Sequence, residues 1–172
     1  MRVLVACEYS AIVRDAFVAR GHYAVSCDLL PTEGDPKRHY QGDIFEYLEM
    51  EPYWDLMIAH PPCTYLTIAG ASKYNAPGRS QKREEATEFF KKLQKLPIAK
   101  IAIENPIPFL SVQNAIGKYD QYVNPFDFGV PQRKRVCLWL KNLPLLKPTR
   151  PVPIEPNKIY IRKTGKKAGQ PY

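Results

Sequence analysis

The chain has 172 residues, enough for one domain of ordinary size with its own hydrophobic core. Hydrophobic residues make up 45% and charged residues 24% of the sequence, a balance typical of a folded globular protein and not of a disordered one. No apolar run approaches the ~18 residues that a membrane span needs, and the N-terminus becomes polar too early for a secretory signal.

The four cysteines are scattered along the chain, with no Cys-x-x-Cys pair. The sequence therefore indicates neither a metal site nor a disulfide framework, and free thiols are typical of the reducing cytoplasm. We accordingly predict a cytoplasmic protein of a bacterial or phage-infected cell that binds neither a membrane nor a metal ion, and we leave its oligomeric state open.

The net charge of +8 is concentrated at one end of the chain. Residues 1–140 hold 17 basic against 16 acidic side chains, whereas residues 141–172 hold 8 against 1, together with 6 of the 17 prolines. We predict a nearly neutral domain over residues 1–140 and a basic, proline-rich extension over residues 141–172. Basic extensions attract polyanions, nucleic acid first among them, and the alternative is a solvated tail with no partner.

Apolar runs and turn residues in the first half of the chain predict two strands and two helices. The strands cover residues 3–7 and 23–27, and Ser10 can cap the helix between them. Gly21 lies where a glycine that ends a helix belongs. After a polar loop, a short helical stretch begins at Asp43.

The second half continues the alternation of strands and helices. Apolar runs over residues 54–59, 98–103 and 136–140 predict strands, and the spacing of apolar residues predicts a helix over residues 80–96, with Phe89, Phe90 and Leu93 in its core. Strands that alternate with helices indicate an α/β protein with an open, mostly parallel sheet.

Polar or reactive side chains follow each of the first four predicted strands. They are Glu8 and Ser10, then Asp28, with Asp43 in the next loop, then Cys63, and finally Glu104. Ligands of open α/β sheets bind beyond the carboxyl ends of the strands, and a carboxylate after the second strand suits the hydroxyls of a ribose. The alternative for Asp28 and Asp43 is a helix cap or a solvated loop carboxylate.

Cys63 follows two prolines that stiffen the turn and remove two backbone donors. Such a turn holds the thiol outward, and Glu104 ends the neighbouring strand, so together they suggest a nucleophile and an acid in one pocket. The alternative for Cys63 alone is a small buried hydrophobic residue. A hydrolase would need a histidine base, and we expect His60 to point away from Cys63.

Three elements in this order carry a resemblance: Pro62-Cys63, Glu104-Asn105 and Gln132-Arg133-x-Arg135, preceded by Asp28 and Asp43. The sequence resembles the DNA cytosine-5 methyltransferases over residues 2–140, and it looks most like their short phage or prophage members. The resemblance implies a Rossmann-like fold of the S-adenosylmethionine-dependent methyltransferases, with helices on both faces of the sheet.

The resemblance also implies roles for individual residues. The thiolate of Cys63 would attack carbon 6 of cytosine, Glu104 would hydrogen-bond or protonate N3 of the ring, and Arg133 and Arg135 would stabilise the adduct and a flanking phosphate. In DNA the target base must leave the stack. The implied binding residues for S-adenosylmethionine are Glu8, Tyr9, Ser10, Asp28 for the ribose, Leu29, Asp43 for the adenine amine, Ile44 against the adenine ring, and Pro62 on the methyl-donor side.

The sequence departs from the family in three respects. The loop after the first strand contains no glycine, Gln132 directly precedes Arg133, and no segment after residue 140 is long enough for a target-recognition domain or supplies the closing motif. The alternatives are methylation of a free cytosine nucleotide, a truncated chain, an amino-group methyltransferase, or a non-catalytic binding protein on a methyltransferase scaffold.

Two further expectations concern loops and cysteines. Residues 65–80 form a long polar segment directly after the proposed nucleophile, so we expect a mobile loop that closes over the base. Cys7 and Cys137 are expected to pack within strands.

Overall fold

The computed structural model describes residues 1–132 and 134–153. These residues form two compact units. One consists of Met1–Val123 and Arg135–Leu146, and the other of Asn124–Lys134 with the described residues from 147 onward. Arg133 and most of the basic extension lie outside the described residues, so the predicted division at residue 140 stays a prediction.

The first unit contains the elements that build the site. They are β1 (Arg2–Ala6), α1 (Ile12–Val18), β2 (Tyr23–Asp28), β3 (His39–Gln41), α2 (Ile44–Met50), β4 (Leu56–Ala59), α3 (Arg79–Gln94), β5 (Lys100–Pro106), α4 (Leu110–Ile116), β6 (Gln121–Val123) and β7 (Val136–Lys141). Short 3-10 helices cover Pro36–Arg38 and Ile68–Lys73, and Pro125–Asp127 of the second unit forms another.

The strands form one sheet in the order β3-β2-β1-β4-β5-β7-β6. The neighbours from β3 to β5 are parallel, and β7 runs antiparallel to both β5 and β6. Chain order reverses between β1 and β4, which is where sheets of this type bind their ligands. The predicted α/β class, with an open and mostly parallel sheet, is confirmed.

Helices cover both faces of the sheet because successive side chains of each strand point to opposite sides. In β1, Val3 and Val5 belong to the cluster that packs against α1, whereas Leu4 and Ala6 belong to the larger cluster that packs against the other helices. Phe90 of α3 is fully buried in that larger cluster, as the sequence predicted. The sheet is therefore rigid at its centre, and its strand ends are fixed points for a site.

The end of β5 differs from the prediction. The apolar run ends at residue 103, but the strand continues to Pro106 because β7 pairs alongside it, with Glu104 opposite Leu138 and Asn105 opposite Cys137. Glu104 is therefore a strand residue, and its backbone is held in place by the sheet.

Arg14 ties the loop between β2 and β3 to α1. Its side chain is fully buried, donates to the carbonyls of Asp35 and Arg38 at 3.0 and 3.2 Å, and pairs with Asp15. Gly34 lies so close that a Cβ there would come within 2.5 Å of Arg14 Nη2 and 2.6 Å of the Ala11 Cβ. This loop follows Asp28, so Arg14 helps to fix the backbone beyond the second strand.

We expect Gly34→Ala to lower the free energy of unfolding by about 1–3 kcal/mol, because the new methyl group overlaps a buried, tethered guanidinium and a buried methyl group. Urea unfolding measures the loss. Ala11→Gly removes one of the two overlaps, so the double variant should recover part of the stability. If Gly34→Ala unfolds at the same urea concentration as the wild type, the close packing around Arg14 is wrong.

In the part of the chain that the structure describes, none of the helices combines the length and apolar character needed to cross a membrane. The same residues contain no cluster of three or more His, Cys, Asp or Glu side chains arranged to hold a metal ion.

Candidate active site

A cavity of about 470 Å³ lies at the carboxyl ends of the parallel strands. This volume is in the range of small-molecule and cofactor sites. Five of the residues proposed to bind the cofactor line it: Asp28, Leu29, Asp43, Ile44 and Pro62. The other lining residues are Cys7, Cys27, Gly42, Tyr65, Lys82, Glu85, Ala86 and Phe89. The structure therefore brings together the ends of β1, β2 and β4, the start of α2 and one face of α3.

Asp28 and Asp43 both line the cavity while also fixing local backbone. Asp43 Oδ1 caps α2 by accepting from the N–H groups of Phe45 at 2.7 Å and Glu46 at 3.3 Å, and Asp28 Oδ1 accepts from Leu30 at 2.9 Å. The structural interpretation of Asp43 as a helix cap is thus correct. Among the described residues, Oδ2 of each carboxylate has no hydrogen-bond donor, which leaves one oxygen of each available to a ligand.

The first loop differs from the prediction at the start of α1. Glu8, only 5% exposed, accepts from the N–H groups of Val13 at 2.6 Å and Arg14 at 3.1 Å. Ser10 Oγ accepts a long hydrogen bond of 3.4 Å from Ile12 N–H, but the residue at the N-cap position is Ala11 and the stronger cap is Glu8. Unpaired N–H groups at the start of a helix attract an anion, and at the start of α1 this anion is the carboxylate of Glu8.

Glu8, Tyr9 and Ser10 do not line the cavity, as far as the described residues define it. The carboxylate of Glu8 is committed to α1, and the Tyr9 carbonyl accepts from Thr32 and Glu33 of the loop after β2. A direct contact of these three side chains with a cofactor stays a prediction.

The loop after β1 bends without glycine. Cys7 and Ala11 have φ angles of 58° and 64°, in the left-handed region that favours glycine. The missing glycines therefore do not prevent the turn from forming. The expectation that Cys7 packs within a strand is wrong, because β1 ends at Ala6 and Cys7 lines the cavity.

Two thiols on the cavity wall stay protonated at neutral pH. Burial, with the nearby carboxylates of Asp28 and Asp43, raises the pKa of Cys7 to about 12. Burial raises the pKa of Cys27 to about 12 as well, again with contributions from Cys7 and these carboxylates. Neither thiol is suited to act as a nucleophile, because nucleophilic attack needs the thiolate.

We expect the three thiols with raised pKa values to leave the free energy of unfolding unchanged between pH 7 and 8.5 and to lower it above pH 9. The pKa values of Cys7, Cys27 and Cys137 rise from 9.0 to about 12, 12 and 11 in the folded chain, so only the unfolded chain loses these protons near pH 9. The loss should be on the order of 1 kcal/mol per thiol at pH 10. Urea unfolding at pH 7, 8.5 and 10 measures it. Cys27→Ala should reduce the loss, and a stability that rises between pH 8.5 and 10 would contradict this account.

The turn that carries Cys63 is held from two sides. Asn105 Nδ2 donates to the Pro61 carbonyl at 2.7 Å, and the Cys63 carbonyl accepts from Leu66 N at 3.1 Å and Thr67 Oγ1 at 3.2 Å. Cys63 itself is half-buried, in contrast to the buried Cys27 and Cys137. The interpretation of Cys63 as a buried hydrophobic residue is therefore wrong, and its backbone is held directly after Pro62, which lines the cavity.

His60 contacts Glu104, a feature that sequence reasoning missed. His60 Nδ1 lies 3.2 Å from Glu104 Oε2, and the two side chains are 29% and 28% exposed. The contact follows from strand register, since Ala59 pairs with Ile103 and the next residue of each strand follows in step. Among the described residues, His60 Nε2 is buried without a partner. The ring of His60 thus faces one of the two proposed catalytic side chains.

Arg135 lies at the start of β7, and its guanidinium stacks over the ring of Tyr122 at 4.5 Å. Burial raises the pKa of Cys137 to about 11, with a smaller lowering by Arg135 and a smaller raising by Glu104. Cys137 itself is buried in β7, as predicted. Arg135 directly precedes Val136, which pairs with Pro106, so it lies at the edge of the sheet where β5 ends.

The segment after Cys63 is more ordered than a polar loop. Leu66 and Thr67 are buried, and Thr67 forms an isolated β-bridge with Pro108. Arg79 donates to the Thr64 carbonyl at 2.8 Å and lies over the ring of Tyr65 at 4.6 Å. Closure of this segment over a base stays a prediction.

Comparisons with known proteins add little to this geometry. No family model and no curated protein matches the sequence. Among solved structures, a protein of an E. coli prophage, provisionally described as a DNA modification methyltransferase, matches 81% of this chain at 16% identity with a TM-score of 0.49. A structure of WbdD with a kinase inhibitor matches 80% at 14% identity with a TM-score of 0.46. The chain spans 46% and 35% of the lengths of these two proteins.

Proposed function

We propose that this protein methylates carbon 5 of cytosine in DNA, with S-adenosylmethionine as the methyl donor and Cys63 as the nucleophile. The observation that carries the proposal is that the proposed cofactor cavity and the proposed catalytic residues are adjacent in the chain and in the sheet. Pro62 lines a cavity of cofactor size, the next residue is the half-buried Cys63, and Glu104 of the adjacent strand β5 contacts His60, which directly follows β4. A methyl donor and a cysteine nucleophile can therefore act on one ring.

The cavity suits an adenosine-containing cofactor. Asp28 has a free oxygen for ribose hydroxyls, Asp43 has one for an exocyclic amine, and Ile44 and Phe89 offer apolar surface for a ring. Carboxylates that accept two ribose hydroxyls are typical at the end of the second strand of such sheets. When bound, S-adenosylmethionine supplies an electrophilic methyl group on a positively charged sulfur.

Cys63 and Glu104 would carry the steps on the base. The thiolate of Cys63 would form a bond to carbon 6, the electron pair of the carbon 5–carbon 6 double bond would move between carbons 4 and 5, and the pair of the carbon 4–N3 double bond would move to N3, which would receive a proton from Glu104. Carbon 5 thereby becomes nucleophilic. After carbon 5 is methylated and loses its proton to a base, the carbon–sulfur bond breaks and the thiolate leaves. N3 then returns its proton to Glu104.

The surroundings of Glu104 support this role. Its Oε2 is held by His60 Nδ1 at 3.2 Å, and its backbone pairs with β7, so the carboxyl group has a fixed direction. A fixed carboxyl group loses little freedom when it meets the ring, and positioned acids of this kind typically accelerate reactions by 10²–10⁴-fold.

Incubation with S-adenosylmethionine and either duplex DNA or deoxycytidine triphosphate tests the proposal. Digestion of the DNA and mass spectrometry of the nucleosides should detect 5-methyldeoxycytidine only with the enzyme. Methylation of the triphosphate alone would favour the free-nucleotide alternative. Heat of binding with S-adenosylmethionine but no methylation of either substrate would favour a non-catalytic scaffold.

A further inference from the structure

We infer that Lys82 and Glu85 of α3 bind the amino-acid end of S-adenosylmethionine, with Lys82 on the α-carboxylate and Glu85 on the α-ammonium group. The inference rests on the proposed function, because it concerns the cofactor of that reaction. Neither residue belongs to a sequence motif. Both lie on α3, which follows the proposed nucleophile in the chain, and not on the loop after β1.

The start of α1 cannot serve the carboxylate of the cofactor. A helix start attracts anions through its unpaired N–H groups, but Glu8 already accepts from Val13 at 2.6 Å and Arg14 at 3.1 Å with both of its oxygens. A second carboxylate there would meet a buried carboxylate of the same charge and no free donor at these positions. The negative end of the cofactor therefore needs another partner.

Lys82 is the one cation among the described residues that line the cavity. The other charged lining residues are the carboxylates of Asp28, Asp43 and Glu85, all of which repel an anion. At neutral pH these four side chains sum to a charge of −2, which complements a cofactor with a net charge of +1. A carboxylate bound in this cavity is consequently attracted to Lys82 alone.

The side chains of α3 that line the cavity lie in a fixed order from one end of the cavity to the other. Lys82, Glu85, Ala86 and Phe89 are spaced as neighbours on one helix face. Phe89 packs edge-on against Phe45 of α2 at 5.7 Å, whereas Lys82 Nζ lies 5.7 Å from the ring of Tyr65. Phe89 thus marks the Asp43 end of the cavity, where the adenine is proposed to bind, and Lys82 marks the Pro62 end, where the sulfur and the amino-acid chain belong.

Both groups are available for a ligand. Within the described residues Lys82 forms no ion pair, and Glu85 accepts only from Gln81 Nε2, at 3.0 Å. Opposite charges three residues apart on one helix face match the opposite charges of an amino acid. Lys82 and Glu85 can therefore bind the carboxylate and the ammonium group of the same amino acid. Each interaction can be tested separately.

Isothermal titration calorimetry with three ligands tests the assignment by binding alone. S-adenosylmethionine carries both charged groups, decarboxylated S-adenosylmethionine keeps only the amine, and 5′-methylthioadenosine lacks both. We expect Lys82→Met to weaken binding of S-adenosylmethionine about tenfold and to leave binding of the decarboxylated compound unchanged. Glu85→Gln should weaken binding of both amine-containing ligands and leave 5′-methylthioadenosine unchanged.

Lys91→Met is the matched control, because Lys91 lies on the same helix, pairs with Glu88 at 2.8 Å and does not line this cavity. It should bind all three ligands like the wild type. The inference is overturned if Lys82→Met binds S-adenosylmethionine as tightly as the wild type, or loses affinity equally for all three ligands. If the wild type binds none of them, the proposed function itself fails, and this inference fails with it.

Discussion

Replacing Cys63 with alanine is expected to abolish methyl transfer and to leave binding of S-adenosylmethionine within about twofold of the wild type. Carbon 5 of cytosine is not nucleophilic enough to be methylated without attack at carbon 6, so removal of the sulfur removes the reaction and not merely part of its rate. Cys63 does not itself line the cavity, and its turn is held by backbone carbonyls, so the cofactor site should persist. Methyl transfer from labelled cofactor to DNA, measured beside calorimetry, gives both results.

Cys137→Ala is a suitable control for the loss of a thiol. Cys137 is buried in β7, and its thiol stays protonated because burial raises its pKa to about 11. This variant should keep methyl transfer. Turnover that survives in Cys63→Ala would remove Cys63 as the nucleophile and favour direct transfer to an amino group.

The second large effect is expected for Glu104→Gln, which should lower kcat by roughly 100-fold or more while the KM for DNA changes little. Glutamine keeps the shape of the side chain and can still hydrogen-bond to the ring, but it cannot deliver a proton to N3. Single-turnover methylation under saturating cofactor measures the chemical step directly.

Two further variants serve as controls for Glu104→Gln. Glu88→Gln changes an exposed carboxylate that pairs with Lys91, and it should methylate DNA at the wild-type rate. His60 contacts the carboxyl group of Glu104. His60→Ala alone should therefore lower the methylation rate, but it should lower the rate of Glu104→Gln little further. An unchanged rate in Glu104→Gln would contradict the proposed acid, and losses that multiply in the double variant would show that His60 acts independently.

Sequence reasoning located the fold class and the edge of the sheet that carries the cavity because both depend on local patterns. Apolar runs identify β1, β2, β4 and β7, and the acidic residues predicted after the second strand and in the loop that follows it, Asp28 and Asp43, do line the cavity. The three-residue strands β3 and β6 gave no pattern, since edge strands of that length are defined by their neighbours.

The features that sequence reasoning missed involve side chains whose hydrogen-bond or packing partners are set by the tertiary structure. The predicted cap of α1 was Ser10, but the N–H groups of Val13 and Arg14 donate to the carboxylate of Glu8. The contact of His60 with Glu104 depends on the register of β4 and β5, and the position of Lys82 on the cavity wall depends on the packing of α3. Such arrangements depend on tertiary packing, and no local spacing in the sequence encodes them.

The most direct test of the account uses a DNA duplex that contains 5-fluorocytosine. Fluorine at carbon 5 cannot leave as a proton does, so the carbon–sulfur bond persists after methylation. Mass spectrometry after incubation with S-adenosylmethionine should then detect the protein joined to methylated DNA, with the modification on the peptide that contains Cys63. Cofactor binding without any covalent adduct, or an adduct on another cysteine, would contradict the central claim that Cys63 attacks the base.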